Sequence, residues 1–181
     1  MHTRARDESG FGMLELLMAM VVLNVGILAV VAAFSSGNAA LARASRISTA
    51  AALANKQMEV YRGLKYDNIV FITSEWTSAT GDSTYTADSV YQLNMASPVA
   101  PKALVGTVST CPANVPANAC DPSYTATGAD GRSYRVDTYL YFDTPTGGNQ
   151  LKIISVVVRP ANDTSRLYAR NTSTFDPSTG G

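Results

Sequence analysis

The chain is short of the residues that carry most enzyme chemistry. Its 181 residues include one histidine, His2, and two cysteines, Cys111 and Cys120. Beyond position 2, histidine triads, histidine-ligated zinc and histidine acid–base catalysis are therefore excluded. No CxxC pair, phosphate loop, dinucleotide fingerprint or EF-hand loop is present. Charge is also scarce, at 15% against the usual quarter. Lys+Arg and Asp+Glu number 14 each, and a net charge of zero gives no electrostatic reason to expect nucleic acid. The deficit is uneven, because residues 9–42 carry a single charge, Glu15. We expect no catalytic function, no cofactor and no metal.

What the chain does have is the stretch "ESGFGMLELLMAMVVLNVGILAVVAAF". From Phe11 to Phe34 only Glu15 and Asn24 are strongly polar, and no proline interrupts the run. As a helix its 24 residues would extend about 36 Å, enough for a bilayer core of ~30 Å. Three readings compete. A secretory signal peptide needs a shorter apolar core, without an acid in its first turns. A plain single-pass anchor fits the length, with Glu15 snorkelling to the interface. The third follows from a helical wheel. Ala19, Val22, Gly26, Ala29 and Ala33 all lie within about 40° of Glu15, and four of the five are Gly or Ala. Such small-residue stripes let membrane helices pack closely. Flanking charge does not settle orientation, since Arg4 and Arg6 precede the run and Arg43 and Arg46 follow it.

Gly10-Phe11 followed by Met13-Leu14-Glu15-Leu16-Leu17 resembles the type IV prepilin segment. The resemblance implies cleavage by a prepilin peptidase between Gly10 and Phe11, then methylation of the Phe11 amine. It also implies that Glu15, fifth in the mature chain, pairs with the amino terminus of a neighbouring subunit. An isolated charge in a low-dielectric interior is costly, and an opposite charge offsets that cost. Gly12 departs from the commoner Thr, and the proline found in many major pilins is missing. Both "ALANKQMEVYRGLKYD" and the alternating, Ser/Thr-rich C-terminal part are similar to PilV-type minor pilins. The implied partners are the peptidase, other pilins or pseudopilins, a pilus assembly platform, and membrane lipid before assembly.

Beyond Phe34 an alanine-rich, proline-free run continues the helix. Ala40, Ala44, Ile47, Ala51, Ala54, Met58 and Tyr61 form a stripe, with Lys56 and Glu59 pointing away. Gly37 is a weak point, and Gly63 stands near the expected end. "NIVFI", "VYQLNM" and "KALVGTVST" are expected as short strands, and "TSATGDSTYTADS" as a polar loop. Trp76 reads as a local core plug. Prolines 112, 116 and 122 predict irregular chain across "CPANVPANACDPSYTATGADG". Eight residues separate Cys111 from Cys120, and we expect a disulfide, with reduced thiols as the alternative. A disulfide would put this part of the chain in an oxidising, extracytoplasmic compartment.

After a turn at Asp130-Gly131, "RSYRVDTYLYFD", "LKIISVVVRP" and "SRLYARNTSTF" read as an antiparallel meander. Tyr134, Val136, Thr138, Leu140 and Phe142 form its apolar face, to be covered by the helix. Asp137 and Asp143 lie on the opposite face, as solvated carboxylates and not a hydrolytic pair. Asn162 and Asn171 head weak glycosylation sequons.

The expected fold is α+β. It comprises a leader (1–10), a transmembrane or fibre-core helix (11–36), an amphipathic helix half (37–65) and a β-rich extracytoplasmic domain (66–181). The expected function is that of a minor pilin or pseudopilin in a type IV pilus or type II secretion-like fibre. It would sit first in the cytoplasmic membrane with its N-terminus inside, then at the cell surface. The alternative is a single-pass, membrane-anchored extracytoplasmic binding or sensor domain.

Overall fold

A computed structural model describes residues 12–98 and 102–178. The leader and the Gly10–Phe11 junction lie outside the described residues. The chain divides into two compact units, one ending at Ala44 and the other beginning at Ser45. Helix α1 (Met13–Arg62) contributes to both.

In the second unit the end of α1 buries Ala50, Ala54, Met58 and Tyr61, at helical spacing, together with Gln57. The expected stripe is corrected in its first half. Ala40 and Ala44 are exposed, Ile47 is 40% exposed and Ala51 is only half-buried. A stripe spaced at 3.5 residues drifts on a 3.6-residue helix, so Ala50 faces the core where Ala51 was expected. Lys56 and Glu59 do face solvent. The helix stops before Gly63, whose amide donates to the carbonyls of Glu59 (3.1 Å) and Val60 (3.2 Å).

The sheet runs in the order β3 (Ser123–Thr127), β4 (Ser133–Asp143), β5 (Leu151–Pro160), β6 (Ala169–Phe175), all antiparallel. The three expected strands are present, and β3 is a fourth. It lies inside the stretch expected to be irregular. The three prolines end at Pro122, and the alternating residues after it are free to pair with β4. A single helical turn, α4 (Ala117–Cys120), precedes it. The β3–β4 turn includes Gly131 at φ 71°, a left-handed conformation suited to glycine. Gly128 is needed for another reason. A Cβ there would stand 2.5 Å from Thr49 Cγ2 and 2.7 Å from Tyr134 Cε2, so its absence lets the hairpin close against α1.

One sheet face meets α1. Tyr134, Val136, Leu140, Ile154, Val156 and Val158 pack with Ala50, Ala54, Met58 and Tyr61. The opposite face is covered too, contrary to expectation. The expected polar loop is two short helices, α2 (Thr73–Gly81) and α3 (Ser83–Thr86), and "VYQLNM" is a helical turn over Tyr91–Met95 rather than a strand. Hydroxyls that read as loop-forming instead bond back within the helices. Thr77, Ser78 and Thr80 donate to the carbonyls four residues earlier, and Asp82 caps α3 by accepting from the Thr84 amide (2.7 Å). Ala79, Tyr85 and Val90 thereby pack on Tyr139, Tyr141 and Val157. Trp76 plugs the same region, stacked on Phe71 at 5.9 Å and edge-on to Tyr85 at 6.1 Å. "NIVFI" and "KALVGTVST" yield only β1 (Phe71–Ile72) and β2 (Thr107–Val108), a two-residue parallel pair.

Candidate functional site: an apolar helix face and a buried ion network

The first unit is an apolar helix without a protein partner among the described residues. Its large side chains from Met13 to Phe34 are all more than half exposed. It is long and apolar enough to cross a membrane. Ala19, Val22, Gly26, Ala29 and Ala33 all lie on α1 and are all exposed. Val22, Gly26 and Val30 flank one side of a shallow apolar groove, and Leu23, Ile27 and Val31 the other. The groove passes beside Gly26, where a Cβ would touch nothing within 4 Å. Glu15 lies in the first helical turn, its amide donating to the Gly12 carbonyl at 2.9 Å. An acid there is favoured by the helix dipole, a local compensation that the helical wheel does not reveal. Its carboxylate has no hydrogen-bond or ion-pair partner among the described residues.

In the second unit Cys111 and Cys120 form a disulfide. It closes a loop that α1 reads directly. Tyr61 donates its hydroxyl to the Ala119 carbonyl (3.0 Å), and Gln57 Nε2 donates to the Asn118 carbonyl (2.8 Å). Gln57 Oε1 in turn accepts from Asn118 Nδ2 (2.6 Å) and the Tyr124 hydroxyl (2.8 Å). This explains the buried glutamine on an apolar helix face. Replacing both cysteines with serine should lower the unfolding free energy by about 2–3 kcal/mol, measured by denaturant titration, since the unfolded chain loses its short closed loop.

Asp137 was expected in solvent and is fully buried. It stands on the sheet face covered by α2 and α3, which is why it cannot be solvated. Its Oδ1 accepts from the Ser123 hydroxyl (2.6 Å) and Arg135 Nε (2.8 Å), and its Oδ2 from Arg159 Nη1 (2.8 Å). Arg159 also donates to Asp88, which accepts from Arg170 Nη2 at 3.1 Å. Arg135 Nη1 reaches Asp82 at 2.5 Å. The network thus ties all four strands of the sheet to the helical layer. Asp143 does not join it and pairs with Lys102 at 3.1 Å. The two aspartates make no hydrolytic pair. Asp88 and Arg159 were missed at the sequence level; their one visible mark was Arg159 ending a β-branched run.

The tyrosines set the domain's response to alkali. Burial, as the largest cause, raises the phenols of Tyr61, Tyr85, Tyr124 and Tyr139. Tyr134 is pushed up to about 12 by burial and by its bond to Asp130. Each phenol holds its proton more tightly folded than unfolded. Its stabilisation is complete below the unfolded value of ~10 and is lost as pH rises toward the folded value. Lys152, lowered by burial, has the opposite slope, but it is one group against six, since burial raises Tyr66 as well. The melting temperature should fall continuously above pH ~10, and Tyr134→Phe should flatten part of that fall.

Among the described residues no three of His, Cys, Asp and Glu come together as a metal set. No known protein family, curated protein or solved structure matches this chain.

Proposed function

We propose that the chain is a pilin-like fibre subunit, of the minor pilin or pseudopilin kind, in a type IV pilus or type II secretion-like fibre. The observation that carries this reading is Glu15: the only charge between residues 9 and 42, without a partner among the described residues, at the head of an exposed small-residue stripe. A carboxylate is costly within the hydrocarbon, up to ~2.5–3.5 kcal/mol at the bilayer centre and less near a helix end where it can snorkel, and a plain anchor gains nothing from it. A second molecule offering an amine at the matching depth would offset the cost. Cleavage after Gly10 creates such an amine at Phe11, four residues before the acid.

On this reading a prepilin peptidase cuts and methylates the chain at Phe11. Lipid holds the helix until an assembly platform transfers it to neighbouring pilins. The disulfide-bearing domain then stands outside the cytoplasmic membrane, and its task is display rather than catalysis. Mass spectrometry of protein purified from membranes tests this. The expected first residue is N-methylated Phe11. An intact Met1 would sink the proposal and favour a membrane-tethered binding domain, and cleavage beyond Phe34 would sink both.

A further inference from the structure

We propose that a cleft of about 440 Å³ in the second unit, lined by Arg46, Arg132 and Arg166, binds a phosphate group. The three arginines come from three separate stretches: α1, the β3–β4 turn, and the connection from β5 to β6. The carboxylate in the lining is Asp163, and it is already engaged by Arg166 Nε (2.8 Å) and the Ser165 hydroxyl (2.5 Å). Nearby Asp130 accepts from the Tyr134 hydroxyl (2.7 Å) and the Arg132 amide (3.2 Å), while Arg132 Nε stays 3.9 Å away. Arg46 has no carboxylate partner among the described residues. Three cations thus line the cleft with one acid, Asp163, and a second, Asp130, nearby, and most of the guanidinium N–H groups have no protein acceptor among the described residues. Tyr134 and Tyr168 supply an aromatic wall, their ring centroids 6.4 Å apart.

The donor set selects the ligand. A carboxylate has two oxygens, and one bidentate arginine occupies both. Three arginines lining one cleft call for an anion with more acceptor oxygens and more charge, which phosphate supplies. The cleft is larger than a bare phosphate, so it has room for whatever the phosphate is attached to. Arg46 follows Phe34 by twelve residues, which makes a phospholipid headgroup one source. A soluble phosphate compound is the other. This site does not depend on the fibre reading, which is judged at the N-terminus.

The test uses the full chain in neutral detergent micelles, titrated calorimetrically with inorganic phosphate. In parallel, the chain is reconstituted in phosphatidylcholine vesicles with and without phosphatidic acid, and lipid contact is read by phosphorus NMR. The expected result is saturable binding that weakens with salt and falls about three- to tenfold in Arg46→Gln or Arg132→Gln. It should vanish in the triple variant with Arg166→Gln and be unchanged in Lys56→Gln. Binding of free phosphate supports a soluble source; contact with phosphatidic acid alone supports the headgroup. Binding that survives the triple substitution, equal loss in Lys56→Gln, or no binding of either probe overturns the site. Arg46→Gln breaks no ion pair, so it decides the matter even if the triple variant is destabilised.

Discussion

Asp137→Ala is expected to cost the second unit about 3–5 kcal/mol of unfolding free energy, the largest loss from any single change there. The carboxylate is fully buried and accepts three hydrogen bonds. Two of its donors are guanidinium groups, on Arg135 and Arg159. Removing it leaves positive charge under α2 and α3 with too few acceptors. Arg159 retains Asp88 and Arg135 retains Asp82, which limits the loss but does not cancel it. Asp137→Asn keeps the shape and one acceptor oxygen, so it should cost less, and Ser123→Ala less still. Trp76, the one tryptophan, packs against Tyr85 in the covering layer and reports the transition by fluorescence during denaturant unfolding. A loss below ~1 kcal/mol would show that the network behaves like a surface ion pair reached by water.

The same residue shows how far the sequence could be read. Period-two alternation placed β4 correctly, a β-branched run ending at Pro160 placed β5, and helical spacing placed the end of α1. Alternation could not show that the second face is also buried. That depends on Thr73–Met95 folding over the sheet, and its side chains look like those of a loop. Ser and Thr favour loops in isolation, but here their hydroxyls bond to carbonyls one turn back while Trp76, Ala79 and Tyr85 find a buried surface. The tertiary gain outweighs local preference, and no single window contains it. β3 was hidden by its neighbours, since the prolines before it masked a five-residue strand. At the N-terminus the apolar stripe was legible because its pattern is local, and its residues are exposed on α1.

Glu15→Ala is the change with the largest expected effect on the proposed function, and its two consequences point in opposite directions. Taking a carboxylate out of an apolar helix makes insertion easier by up to a few kcal/mol, so the variant should reach the membrane at least as well as the native chain. Incorporation into a fibre should instead collapse, because the amine at Phe11 of a neighbour would be drawn into a low-dielectric interior without its counter-charge. Glu15→Gln separates charge from shape. It keeps length and hydrogen-bonding capacity but should rescue incorporation poorly, since a neutral amide cannot balance an ammonium group. Gly26→Leu gives an independent check on the same face. It fills the groove between Val22 and Val30 without altering charge, and should obstruct close helix packing while leaving insertion intact. The measurement is the amount of chain in sheared surface fibres relative to membrane fractions. Native incorporation of Glu15→Ala would mean that the carboxylate makes no assembly contact, leaving the dipole of its own helix as the interaction in its favour among the described residues.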